Sequence, residues 1–434
     1  MLFSRIPPVA RLISDRYKDI FRSAGIPYSM LCILIVMILC GFPAISKFVK
    51  YFVLSLSVSA ISRSIKKFDK NVMNLVQRRI AWSVLKQVVR DPENWIWVID
   101  TTANIKRTAN LPGRGLWANS KNEIFFGQNM MMICAVNTLT GASIPVYWLP
   151  FLKPNERKKG HTNHNLVLEL VDALIEQEWP KLTLVMDSWF DSASLLQALN
   201  KRKIIFVVEL KSSRKPKTNP GLRVSKKHLV DIFKNLNRES IRCTTREIKE
   251  PVRVGWKNLR FVSGQNIWIN GRGETSKQIQ LHVAAVYNHP KEKKAFGYYA
   301  TNDLSKPYTW CWKMSRYRWN AEVCFRDLRQ GFNWGKLPAK SVECANFSWV
   351  MPILILAYIR EYDPKSTILS FLEKTKDEEL MRSINYYTKN PDNFQIKKLR
   401  IRLLGTPPCK KVRITAAEKE RLDQKSNLSN KSAA

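Results

Sequence analysis

Two aspartates close apolar runs in this sequence: Asp100 ends Trp95-Ile96-Trp97-Val98-Ile99, and Asp187 ends Leu182-Thr183-Leu184-Val185-Met186. Short apolar runs of this kind read as buried strands. The carboxyl ends of neighbouring strands in an α/β fold open into a shared crevice. Two carboxylates meeting there repel one another and hold a proton more tightly. A hard divalent cation, Mg²⁺ or Mn²⁺, removes that penalty. Acids at strand ends also start loops and cap helices, so the pair alone does not decide. A third acid, Glu322, lies where helical spacing sets Ser315, Arg318, Glu322, Arg326 and Arg329 along one face. Three arginines around one glutamate leave surplus positive charge, which suits a carboxylate on a metal with guanidinium groups on phosphates. An intrahelical salt bridge is the plainer reading of the same spacing.

The elements that must position these acids alternate. Trp95 to Asp100, Leu182 to Asp187 and Ile204 to Leu210 are buried-type strands. Asn129 to Thr138 and Ser143 to Leu149 are β-rich runs joined by a Thr140-Gly141 turn. Helices are expected over Leu166 to Trp179, over 192–201, from about 310 to 331, and over Val350 to Ile359. Buried strands alternating with helices indicate a mixed sheet covered on both faces. Residues 211–305 break that rhythm with short β-like runs, Leu259 to Ser263, Asn266 to Asn270 and Ile279 to Tyr287, and read as an inserted β-rich subdomain. The first hundred residues look helical. Their apolar stretch, Tyr28 through Ser46, is interrupted by Gly41 and Pro43; a buried helix fits it better than a membrane span, which needs about 20 apolar residues.

Charge narrows the partner. The chain carries 72 Lys+Arg against 35 Asp+Glu, a formal +37 over 434 residues. Residues 100–210 are nearly neutral, 12 basic against 10 acidic, between blocks of +10, +14 and +11. A basic surround on a neutral block containing the acids favours a polyanion, nucleic acid or an anionic membrane surface. The eight cysteines form no C-x-x-C pair, so neither the usual zinc spacings nor a disulfide framework is signalled, and reduced thiols in a cytosol are expected. No phosphate-binding glycine loop occurs.

With these residues in hand, the chain resembles a DDE transposase of a bacterial insertion sequence, in the insertion-sequence-four-like branch. That branch carries Tyr, two residues, Arg, three residues, Glu, six residues, Lys. The register here reads Ser315, Arg318, Glu322, Arg329, and VIDTT (98–102) and VMDSWFDS (185–192) resemble the first and second acid motifs. Serine stands in place of the tyrosine. Tyr317 does not substitute for it, because two residues along a helix turn about 200°. Arginine replaces the lysine. The resemblance implies a ribonuclease-H-like mixed-sheet α/β core, interrupted by the β-rich insertion, with an N-terminal helical DNA-binding domain and a helical C-terminal region. The corresponding domains are 1–94, 95–210, 211–305, 306–360 and the basic region and tail 361–434.

It further implies that Asp100, Asp187 and Glu322 bind two Mg²⁺ (or Mn²⁺) ions. Such a pair activates water to cut a phosphodiester and then lets the 3′-OH attack target DNA. Arg318, Arg326, Arg329, Ser315 and Trp268 would hold DNA, Trp268 by stacking on an extruded base unless it is simply core. The implied partners are double-stranded DNA, as terminal inverted repeats and target, and a second copy in a homodimer. The expected location is the cytoplasm at the nucleoid of a bacterium, with no membrane. A catalytically silent, domesticated DNA-binding derivative is the alternative, and a membrane-associated protein using residues 28–46 a further one. Among lesser candidates, Glu209 is an alternative third ligand or a solvated rim residue, and Asp191 is expected to cap the next helix. His161 and His164 lack partners for zinc. Trp256 is a second stacking candidate. The runs Arg157-Lys158-Lys159, Arg214-Lys215 and Lys410-Lys411 are phosphate contacts or solvated surface.

Overall fold

The computed structural model describes residues 8–39, 45, 57–105, 111, 114–118, 124–152, 156, 162–216, 227–234, 236–242, 259–269, 278–334, 341–364 and 370–371. Residues Met1–Glu379 form one compact unit, and all of the described residues belong to it. Its first described elements are helical: α1 (Pro8–Ser23), α2 (Tyr28–Leu39), α3 (Val58–Ile65) and α4 (Lys70–Val88). Asp69 starts α4 by accepting from the Val72 N–H at 2.9 Å, satisfying a donor the helix leaves open. Helix α2 has 12 residues, ten of them buried, and falls short of the length a membrane span needs. Each fully buried Leu, Ile, Val or Met there contributes about 1.5–3 kcal/mol. The helices share the core of the sheet: Gln77 Nε2 on α4 donates to the backbone oxygen of Trp148 at 2.8 Å, inside the protein.

The ten strands described form one sheet. In chain order they are β1 (Trp95–Ile105), β2 (Arg114–Ala118), β3 (Ile124–Asn137), β4 (Ser143–Pro150), β5 (Thr183–Met186), β6 (Phe206–Leu210), β7 (Glu239–Arg242), β8 (Leu259–Ile269), β9 (Ile279–Tyr287) and β10 (Gly297–Thr301). The spatial order is β2-β3-β1-β5-β6-β10-β9-β8-β7, with β4 also on β3. Strands β1, β3 and β4 pair antiparallel, while β5 is parallel to β1 and β6 to β5. This antiparallel meander followed by two parallel strands is consistent with a ribonuclease-H-like core. Gly141, at φ +75°, makes the β3–β4 turn, a conformation glycine adopts without steric cost.

Strands of the 211–305 segment do not fold back into a sheet of their own. They continue the core, because β10 pairs with β6 and carries β9, β8 and β7 beyond it. The two short runs expected at 259–263 and 266–270 are one strand. Gly264, between those runs, is required by packing: a Cβ there would lie 2.0 Å from the Tyr308 ring.

Helices α5 (Asn163–Ile175) and α6 (Ala193–Lys201) follow β4 and β5, and α7 (Leu229–Phe233) precedes β7. The helix expected from 310 to 331 is two helices, α8 (Tyr308–Ser315) and α9 (Arg318–Phe332), separated by Arg316 and Tyr317. Helix α8 lies over β5, β6, β8, β9 and β10, and α9 over β1, β3 and β4. Helix α10 (Val342–Tyr362) is long and apolar enough to cross a membrane, but it is mostly buried, packed on α4, β4 and α9 as a core helix.

Candidate active site

The parallel ladders put the strand acids in one row. Val98 pairs with Val185, so two residues on, Asp100 stands level with Asp187; Met186 pairs with Val208, so Glu209 stands level with Asp187 on the next strand. Asp100 does not end its strand, as the sequence suggested. The polar residues after it stay in β1 because they keep pairing with the long β3, and only the parallel pairing to β5 stops at Val98. The Asp100 Oδ1 accepts from the Thr101 N–H at 2.7 Å. Asp187 both ends β5 and caps the short 3₁₀ turn Ser188–Phe190, its Oδ1 accepting from the Trp189 N–H at 2.9 Å.

Helix α9 brings the third acid over this row. Glu322 accepts from Arg318 Nη1 one turn earlier, and the same Nη1 lies 3.4 Å from Asp100 Oδ2. The salt bridge and the shared site are therefore both present, with one guanidinium joining the glutamate of the helix to the aspartate of the strand. Electrostatics records the convergence. Burial and then the charge of Asp187 push Asp100 up to about 7, against the pull of Arg318 and the Thr101 N–H. Burial also raises Asp187, offset by the Trp189 N–H and Arg318. Glu209 is raised by burial and by Asp187, with Arg318 opposing. Burial pulls Arg318 down, but Glu322, Asp100 and Asp187 outweigh it and hold the guanidinium charged.

Asp100 and Asp187 at the end of a parallel ladder, with the partly exposed Glu322 brought to them by α9, supply the carboxylate oxygens a hard divalent ion prefers, so the three fit a metal by chemistry. As they stand, no group of three His, Cys, Asp or Glu side chains among the described residues is arranged to hold an ion. The positive charge among the acids is that of Arg318.

Residues 111–358, more than half of the chain, match the family model of the transposase DDE domain. The chain belongs to that family. Asp187 and Glu322 fall inside the matched segment and Asp100 precedes it. No curated protein matches the chain. Among solved structures it is similar to the piggyBac transposase in a synaptic complex with hairpin DNA, at 11% identity over 94% of this chain and 78% of that one, with a TM-score of 0.41.

The remaining candidates of this DDE-family chain separate by position. Ser315 ends α8, its Oγ donating to the Trp312 carbonyl at 2.7 Å, and it lines the same cavity as Arg318 and Glu209. Arg326 is exposed, 3.9 Å from Asp327. Arg329 turns inward, its Nη2 donating to Thr102 Oγ1 at 2.5 Å. Trp268 is not brought to the acids. Gly264 is level with Glu209 across β10 and β9, so Trp268 lies four residues beyond that level and four strands from Asp187. Those offsets amount to roughly 13 Å along the strand and 19 Å across the sheet. Asp191 does not cap α6; its side chain, 1% exposed, pairs with Arg214 and accepts from the Lys211 N–H at 2.9 Å, so Arg214 is committed inside the protein. His164 packs on Trp189. His161, Trp256, Arg157-Lys158-Lys159 and Lys410-Lys411 lie outside the described residues.

A cavity of about 240 Å³ opens beside the acids, lined by Glu209, Arg260, Phe296, Tyr299, Arg318 and Trp319 among others. A larger one of about 640 Å³ lies by α4 and α5 and shares no residue with the acid row. Arg260, Tyr299 and Thr102 were missed from the sequence. Thr102 alone carried a signal: it stands two after Asp100, on the same face of the strand.

Proposed function

We propose that this chain is a bacterial insertion-sequence transposase of the insertion-sequence-four-like branch. In this reading it binds the terminal inverted repeats, cuts phosphodiester bonds at the element ends and joins the freed 3′-OH ends to target DNA. The observation that carries the reading is the level pair Asp100 and Asp187, with Glu322 delivered over it by α9 and tied to Asp100 through Arg318. Asp100, Asp187 and Glu322 would hold two Mg²⁺ or Mn²⁺ ions, which when bound stabilise the attacking and leaving oxygens of an in-line displacement. The backbone N–H groups of Thr101 and Trp189 fix the orientation of the two aspartates. Arg318, freed from the carboxylates, is left to grip a phosphate oxygen with its planar fork. Arg326, exposed on the same helix, adds a phosphate contact, and the +37 charge supplies sequence-independent attraction to DNA.

The helices before residue 94 would contribute DNA binding. Joining two element ends calls for a homodimer, and the expected location is the nucleoid. A catalytically silent derivative is the second reading, favoured by the Ser315 hydroxyl being committed to its own helix. The test is cleavage, with Mg²⁺ or Mn²⁺, of the DNA that flanks the coding sequence. Asp100→Ala, Asp187→Ala and Glu322→Ala should each abolish it while DNA binding persists. Cleavage surviving in any one of them removes that residue from the site, and binding without cleavage in the unmodified chain establishes the silent derivative.

A further inference from the structure

Arg329 occupies the place where a phosphate-gripping cation is expected, yet it points the wrong way for that task. Its Nη2 donates to the hydroxyl of Thr102, which is 3% exposed. Its Nε is shut away from solvent with no hydrogen-bond partner. Burial holds its pKa below the usual arginine range, with Asp100 pulling the other way. Arg326, three residues earlier, shows what an outward arginine on this helix looks like: its side chain is 54% exposed.

Position gives the inward turn a purpose. Thr102 follows Asp100 by two residues, so both side chains leave β1 on the same face, about 6.6 Å apart. Arg329 follows Glu322 by seven residues, about 10.5 Å along the helix and within about 20° of the same face. Arg318 and Arg329 thus link α9 to β1 at Asp100 and Thr102, one on each side of Glu322.

We infer that Arg329 is a positioning residue: through Thr102 it braces α9 against β1 and so sets Glu322 over Asp100, and it makes no contact with DNA. The inference rests on reading Asp100 and Glu322 as one site. Residues that orient metal-binding side chains typically cost 10–100-fold in metal affinity when removed. A lost phosphate contact instead lowers the slope of log affinity against log salt by about 0.9.

The decisive variant is Thr102→Val, which keeps the shape, deletes the acceptor and is buried away from any DNA. Mn²⁺ affinity is read by electron paramagnetic resonance on the full chain, and the salt slope from binding to a short random-sequence duplex. Thr102→Val and Arg329→Met should each weaken Mn²⁺ binding by about tenfold or more. The double variant should be no worse than either single one, because the two side chains act as one link. Neither should change the salt slope. Wild-type Mn²⁺ affinity in Thr102→Val overturns the brace, whether or not Arg329→Met folds. So does a slope reduced by about 0.9 in Arg329→Met alone. If the unmodified chain binds no Mn²⁺, the metal reading fails separately, and the salt slope still decides between brace and phosphate contact.

Discussion

Replacing Asp100 with asparagine should stabilise the cation-free protein, although it removes an acid the function needs. Asp100 is pushed from 3.8 up to about 7 by burial and the neighbouring Asp187 charge. At 1.36 kcal/mol per pH unit, an ionised Asp100 in the folded chain costs on the order of 4 kcal/mol, and about 2 once local water and relaxation share the load. Asparagine keeps the shape and drops the charge, while Arg318 retains Glu322. The folded state binds its proton more tightly than the unfolded one, so this part of stability is fully present below about pH 4. It falls as pH rises towards 7 and is lost above. The advantage of Asp100→Asn should therefore be small near pH 4, grow through pH 5 and 6, and level off above 7. With an unfolding entropy of about 2.1 cal/mol/K per residue, 2–4 kcal/mol corresponds to a Tm rise of about 3–5 °C in a unit of this size. Thermal unfolding in chelator across that range measures it, and adding Mg²⁺ should stabilise the wild type and close the gap. A variant less stable than wild type at pH 8 in chelator, or a gap independent of pH, would mean that the buried Asp100 charge does not destabilise the fold.

Three further outcomes test the packing that supports the site. Gly264→Ala should lower stability by about 1–3 kcal/mol, since its Cβ meets the Tyr308 ring at 2.0 Å, and adding Tyr308→Ala should recover part of the loss in thermal unfolding. Arg214→Met leaves the nearly inaccessible Asp191 carboxylate without its partner and should cost about 3–5 kcal/mol by denaturant titration, less when Asp191→Asn is added. Trp349→Phe removes the 2.8 Å bond from its Nε1 to Gln128 Oε1 in the core beside α9, and should cost about 1–3 kcal/mol in the same assay.

Much of the site is legible in sequence because apolar runs declare buried strands. Trp95 to Ile99 and Leu182 to Met186 do pair in parallel and do bring Asp100 and Asp187 level. What periodicity cannot register is the partner of a strand. The polar tail Thr101–Ile105 stays in β1 only because β3 runs alongside it, and β10 attaches the 211–305 segment to the core only through β6. Helical spacing likewise continues through a break. It runs one helix from 310 to 331, whereas Arg316 and Tyr317 divide it into α8 and α9, with Ser315 and Arg318 still lining one cavity. Side-chain direction on α9 was half legible: Glu322 and Arg318 meet the row as their spacing suggests, while Arg329 turns inward to a threonine that no charge pattern marks. Asp191 looked like a cap because an acid before a helix usually is one; its partner Arg214 lies 23 residues on, beyond β6.

We propose that Asp100, Asp187 and Glu322 form one metal-dependent site that cuts DNA. Glu322→Gln tests it most directly, because it keeps the shape of the side chain and a hydrogen-bond acceptor for Arg318. The measurement is single-turnover cleavage of the flanking DNA with Mg²⁺ and Mn²⁺, run beside binding of the same duplex. The wild type should nick at the element ends in a metal-dependent way, and the variant should bind without nicking. Nicking by Glu322→Gln at the wild-type rate would contradict it.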